Sequence, residues 1–234
     1  MQQAIQIFKK DFKTYFVSPI AYIVITLFLL VTGWLFFSTF FLFNQASLRN
    51  FFSLLPIIFS FVVPAITMRL FSEELNVGSY EILLTLPVTF REVIVGKLLA
   101  SIAFIIAMLI PTFAYPVTLS FLGQLDWGPV IGGYIGTILL GGTYATIGLF
   151  ASSLTRNQII AFIIGMVICF LLTIVDKMLF FLPSQLVEIM GYLGASFHFQ
   201  NIAKGVIDSR NVLYFLSVSF VSLYGTKLAM QEKY

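Results

Sequence analysis

Charge is scarce in this sequence. Of its 234 residues only 13 are Lys or Arg and 10 are Asp or Glu, 10% in all, against about 25% in a soluble globular domain. That is too little to wet a globular surface, which excludes a cytosolic enzyme, a disordered chain and a nucleic-acid-binding domain. The excess of three positive charges is too small to attract a polyanion and reads as membrane-topology charge. One cysteine excludes a disulfide framework and a cysteine-rich metal site. One histidine, His198, excludes a His-Glu-x-x-His site, and it has no metal-ligating partner nearby in sequence. No Gly-x-x-x-x-Gly-Lys-Ser/Thr loop occurs. The one Gly-Lys pair, Gly96 and Lys97, lacks the upstream glycine and is followed by Leu98, so ATP is not bound in that manner. Serine-nucleophile elbows are missing as well. No catalytic residue, cofactor or metal ligand is therefore assigned, and the chain does not read as an enzyme.

What the sequence has is hydrophobicity, 59% of its residues. A spanning helix needs about 20 apolar residues, and an ionised side chain in hydrocarbon costs at least ~2.5 kcal/mol, so the charges delimit the spans. Six uncharged runs follow: about 19–43, 51–68, 98–122, 129–152, 158–175 and 212–226, the last being the shortest. Six spans put both termini on one side. With the N-terminus inside, Lys9, Lys10, Lys13, Arg69, Arg91, Lys97, Arg156, Lys227 and Lys233 face the cytoplasm, and Arg49, Lys177, Lys204 and Arg210 face outward. Nine cations against four predict an N-in/C-in protein of a plasma membrane. The first run is too long for a signal-peptide core and lacks a small-residue cleavage site, so no processing is expected. The pieces left outside the membrane are too short for an independent domain, and residues 1–234 read as one membrane domain.

Local patterns refine this all-α picture. In residues 1–18, Ile5, Phe8, Phe12 and Tyr15 or Phe16 recur at helical spacing, with Lys9, Lys10, Asp11 and Lys13 on the other side. This predicts an interfacial amphipathic helix, with Pro19 opening a fresh one. The fourth span carries Gly133, Thr137, Gly141 and Ala145 every four residues, with Gly132 and Gly136 as a further pair. Small stripes let helices approach closely, either within the chain or at a subunit contact or pathway. Pro56 and Pro64, then Pro111 and Pro116, favour kinks in spans two and three. Residues 176–210 are too apolar for a solvated loop and suggest short re-entrant or interfacial helices broken at Gly191 and Gly194.

Residues 69–97 hold most of the cytoplasmic chemistry. Ser72 is expected to cap a short helix with Glu73 and Glu74 at its positive end. Gly78 ends that helix, Ser79 caps a second through Thr85 with Glu81 in its first turn, and Pro87 stops it. Thr89 and Glu92 form a capping box that starts span three. Connections in compact bundles usually take about 2–8 residues. A loop this long, structured and acidic suggests docking of another protein. The spans carry no ionisable residue near their centres, which disfavours ion-coupled carriers and charged-ring channels. A transporter without ion coupling or nucleotide binding must receive its energy from a partner. A non-transporting anchor or scaffold of a motility or secretion complex would use the same docking segment and is the alternative reading.

Three stretches carry a family resemblance. Arg69-Leu-Phe-Ser-Glu-Glu, Gly78-Ser-Tyr-Glu-Ile-Leu-Leu-Thr-Leu-Pro-Val, then Glu92 with Gly96-Lys97, resembles the signature between spans two and three of type-2 ABC exporter permeases. Ala151-Ser-Ser-Leu-Thr-Arg-Asn-Gln, followed by Ala161, is similar to that family's turn between spans four and five. Phe197-His-Phe-Gln-Asn, Gly205-Val-Ile-Asp-Ser-Arg and Leu213-Tyr-Phe-Leu-Ser resembles the subgroup that includes the gliding-motility permease. Ser79 stands where the family often has threonine. The resemblance implies six helices per subunit in a bacterial inner membrane, among membrane lipids. It implies a dimer with a second permease, identical or homologous, and two copies of a separate ABC ATPase, with room for an accessory subunit. The short helix around 78–85 would be the coupling helix seated in the ATPase, with Glu73, Glu74 and Glu81 at the family's acidic positions. Residues 176–210 would be its external re-entrant helices.

Overall fold

The structure, a computed structural model, describes residues 2–43, 47–79, 88–178, 191–206 and 208–232. Among these residues every regular element is helical. The helices are α1 (Gln2–Val17), α2 (Pro19–Phe43), α3 (Arg49–Thr67), α4 (Arg69–Val77), α5 (Phe90–Leu109), α6 (Ala114–Leu122), α7 (Trp127–Leu154), α8 (Gln158–Met178), α9 (Ala195–Ala203) and α10 (Ser209–Gln231). Among the described residues six runs are long and apolar enough to cross a membrane: Pro19–Ser38, Arg49–Val77, Phe90–Leu122, Trp127–Leu154, Gln158–Met178 and Ser209–Gln231. The sixth is longer than its uncharged run suggested, because its helix extends past Lys227 at one end and begins at the Asp208 cap at the other.

Helix starts follow local chemistry. Orphan N–H groups at a helix N-terminus need acceptors, and three helices supply them from the residues just before. Gly128 N donates to Asp126 Oδ1 (3.1 Å) ahead of α7, Ile159 N to Asn157 Oδ1 (2.9 Å) at α8, and Arg210 N to Asp208 Oδ1 (2.9 Å) at α10. At α5 the expected capping box is complete: Glu92 N donates to Thr89 Oγ1 and Thr89 N to Glu92 Oε2. Pro111 breaks span three into α5, a single 3₁₀ turn over Ile110–Phe113, and α6, as a residue lacking an N–H should. By contrast α3 runs through Pro56 and Pro64 without interruption.

The bundle is organised around α7, whose most apolar window is 72% buried, against 22% for α2 and α8 and 11% for α10. Four glycines of α7, Gly132, Gly133, Gly136 and Gly141, have close neighbours within the chain. A methyl added at Gly132 would strike the Ile202 carbonyl, and at Gly133 the Phe52 ring. At Gly136 it would lie 3.2 Å from Ile202 and 3.3 Å from Phe199, and at Gly141 3.0 Å from Phe59 and 3.1 Å from Ile105. Backbones thus approach closely where large apolar side chains of α3, α5 and α9 fill the space opposite. Buried hydroxyls tie the same layer: Tyr144 and Thr173 share a 2.6 Å bond, and Ser196 Oγ donates to the Thr173 carbonyl at 3.0 Å.

The two ends of α7 differ. Gly132 and Gly136 meet α9, whereas Ser152, some 16 residues or about 24 Å further along, meets α4. At the α9 end, His198 is buried. Its Nε2–H donates to the Tyr192 carbonyl (2.9 Å), its Nδ1 lies 2.8 Å from Asn211 Oδ1, and its ring stacks on Tyr214 at 4.1 Å. Both ring nitrogens thus lie within hydrogen-bond distance of groups of the protein. The proposed break at Gly194 coincides with the start of α9, while residues 179–190 of the expected re-entrant piece lie outside the described residues.

Candidate functional site

The other end of the bundle, where α1, α4 and the start of α5 converge, concentrates the charge. Its centre is Lys97, on α5 and only 2% exposed. Nζ stands 2.9 Å from Glu74 Oε2 of α4 and 3.4 Å from Asp11 Oδ2 of α1, and it lies 5.2 Å from the centre of the Phe71 ring. The Glu74 contact is an ion pair whose angles fall short of a hydrogen bond. Lys10 Nζ approaches the other Glu74 oxygen at 3.6 Å from the exposed side. A buried ammonium without partners would be prohibitively unfavourable. Here two carboxylates and an aromatic face replace its hydration.

Gly96 makes this arrangement possible. A methyl there would lie 2.8 Å from the Ala4 carbonyl and 2.9 Å from Ile7, so α1 rests directly on the α5 backbone. The face of α1 that is buried comprises Ala4, Ile7 and Asp11. This corrects the expectation that Asp11 lies with the lysines on a solvated side. Phe8, Phe12 and Phe16 form a second apolar strip in which successive rings are 5.7 and 5.1 Å apart, and Ile5 is exposed. Burial pushes the Asp11 carboxyl above the usual carboxylate range, with Lys97 pulling in the opposite direction.

The start of α4 also differs from expectation. Ser72 is not its N-cap but a residue inside it, donating back to the Met68 carbonyl. The acceptor comes instead from α7. Ser152 Oγ receives the N–H groups of Phe71 and Ser72, each at 3.0 Å, and donates to the Met68 carbonyl at 2.8 Å. Capping by a residue some 80 positions away joins α4 to the central helix. Glu73 turns outward to Arg69, whose Nε and Nη2 donate to its two oxygens at 2.8 and 3.1 Å. Gly78 ends α4 with φ of 74°, the left-handed geometry that glycine adopts readily. Ser79 is exposed. Glu81 and Pro87, with most of the expected coupling helix, lie outside the described residues.

Of the residues singled out from sequence, Glu73, Glu74 and Ser79 thus share one surface with Lys10, Asp11, Thr14, Tyr15, Arg69 and Lys97 around a cleft of 280 Å³. Lys97 was expected at the cytoplasmic end, but its burial against Asp11 and Glu74 and the capping role of Ser152 were not anticipated. A lysine at the head of an apolar run, right after a glycine, and a lone aspartate among lysines were the available signals; Ser152 offered none.

The cluster ties together the amphipathic first helix, the segment leaving span two and the head of span three. Comparison with curated proteins gives no match. The profile of the ABC-2 family transporter proteins matches residues 5–200, and the chain belongs to that family, as a multi-pass membrane permease of an ABC transporter.

Proposed function

We propose that this permease is the membrane subunit of an ATP-driven exporter in a bacterial inner membrane, with its charged end cytoplasmic. Two permease chains, identical or homologous, enclose the pathway. Two copies of a separate ABC ATPase grip the segment between α4 and α5. The observation supporting this reading is Lys97. Through Glu74 it fastens α4 to the head of span three, on either side of the segment expected to dock, so a push on that segment reaches the membrane helices rather than dissipating in a loose loop. ATP binding would close the ATPases and shift α4, α5 and α1 as a unit, and hydrolysis would reset them. The likeness of residues 197–217 to gliding-motility permeases supports a place near that subgroup.

Docking is tested by co-purification with the ATPase subunit. Glu74 is a poor choice for mutation, because charge reversal there would also break the Lys97 cluster. Glu81→Lys is expected to leave the permease folded and to reduce ATPase recovery at least ten-fold. Full recovery with Glu81→Lys, together with an ATPase rate indifferent to the reconstituted permease, would overturn the reading in favour of a membrane anchor.

A further inference from the structure

On the outer side of α7, between α5 and α10, lies an open groove of 740 Å³. Its walls include Leu98 and Ile102 of α5 and Leu216, Phe220 and Leu223 of α10. Its floor is α7 at Gly142, where an added methyl would meet nothing nearer than Ile102 at 3.7 Å. The hydroxyls along it are already engaged. Thr143 Oγ1 donates to the Leu139 and Phe215 carbonyls at 3.0 and 3.3 Å, Thr146 Oγ1 to the Thr143 carbonyl at 2.7 Å, and Ser219 Oγ to Thr143 Oγ1 at 3.2 Å. What remains for an occupant is an apolar trough at membrane depth, where water is absent.

The charges at one mouth say which amphiphile fits. On α10, Leu216, Phe220, Leu223 and Lys227 recur at i, i+4, i+7 and i+11, one helix face. On α5, Arg91, Val95, Leu98 and Ile102 repeat the same spacing. Both wall stripes therefore end in a cation at the charged end of the bundle. Arg91 is exposed and Lys227 half-buried, and neither is ion-paired to a described residue. Glu92, the carboxylate beside Arg91, is turned back onto Thr89. A hydrocarbon chain suits this apolar lining.

We propose that the groove between α5, α7 and α10 holds an acyl chain of an anionic phospholipid, whose phosphate lies between Arg91 and Lys227. The groove lies apart from the segment between α4 and α5 that is proposed to dock, although Arg91 follows that segment closely; the assignment to the inner leaflet rests on the orientation proposed above. Basic residues flanking a cleft between membrane helices are suited to such headgroups.

The whole chain, reconstituted in vesicles of equal parts phosphatidylglycerol and phosphatidylcholine with identical acyl chains, is extracted in mild detergent, and the retained lipids are counted by mass spectrometry. Wild type should retain phosphatidylglycerol in several-fold excess. Arg91→Gln with Lys227→Gln should bring that excess down to near the vesicle ratio. Gly142→Leu, which fills the floor and leaves both cations, should lose retained lipid of both kinds while eluting as wild type does. The proposal is overturned if wild type returns the vesicle ratio, if Gly142→Leu retains as much lipid as wild type, or if Leu216→Cys cross-links readily to a second copy, which would make the groove a subunit interface.

Discussion

Replacing Lys97 with Met keeps the length and apolar stem of the side chain and deletes the one charge standing between Asp11 and Glu74. Asp11 is 8% exposed and Lys97 2%. Without Lys97, Asp11 is left buried and unpaired and Glu74 keeps only the exposed Lys10; breaking a buried ionic group typically costs 3–5 kcal/mol. For a chain of this size each kcal/mol moves the unfolding midpoint by about 2–4 °C, so a fall of roughly 6–20 °C is expected in a detergent-solubilised melt followed by tryptophan fluorescence. The loss should depend on pH. Burial raises the Asp11 carboxyl above its ordinary range, opposed by Lys97, so the folded chain holds that proton more tightly than the unfolded one. Its contribution to stability is therefore greatest below the ordinary carboxylate value and declines as pH rises through the raised folded value. Without Lys97 the opposing pull is gone and the window reaches higher, so the variant should recover more of its loss between about pH 7.5 and pH 5 than wild type gains over the same interval. Adding Asp11→Asn and Glu74→Gln to Lys97→Met removes the stranded charges and should restore most of the midpoint. An unchanged midpoint in the single variant, or a triple variant no more stable than the single, would refute the reasoning.

Two glycines of α7 should respond in opposite ways to alanine. At Gly148 the new methyl runs into the Thr67 side chain, so overpacking should cost about 1–3 kcal/mol; at Gly142 it meets only ordinary contact at 3.7 Å, and the gain in helix propensity should leave stability equal or up to about 1 kcal/mol higher. The thermal midpoints of the two variants check this. Ser152→Ala should remove the cap of α4 at a cost of about 1–2 kcal/mol, seen as faster hydrogen exchange at the Phe71 and Ser72 amides with the amides of α8 unaffected. Thr89→Ala dismantles the capping box of α5 and should cost about 1 kcal/mol, measured as a midpoint shift at neutral pH.

The membrane class and the six spans were legible in the sequence because they depend on local chemistry. A run of some 20 apolar residues has few alternatives in a bilayer, and a cap such as Thr89 with Glu92 acts within three residues of itself. Proline was less legible: Pro56, Pro64, Pro111 and Pro116 carried the same expectation of kinks, and the helix breaks at Pro111 while running through the other three. Asp11, Lys97 and Ser152 were not legible, because their roles depend on partners 86, 23 and about 80 residues distant. A charge at the edge of an apolar run looks the same whether it faces water or a buried carboxylate. Only the seating of α1 on Gly96 decided that Lys97 faces inward, and only the approach of α4 to the last turn of α7 decided that Ser152 would serve as its cap. The sequence by itself settled how many times the chain can cross a bilayer, since that follows from hydropathy along the chain. Which charges at its end are buried together was left to the tertiary structure, since that follows from which helix faces meet.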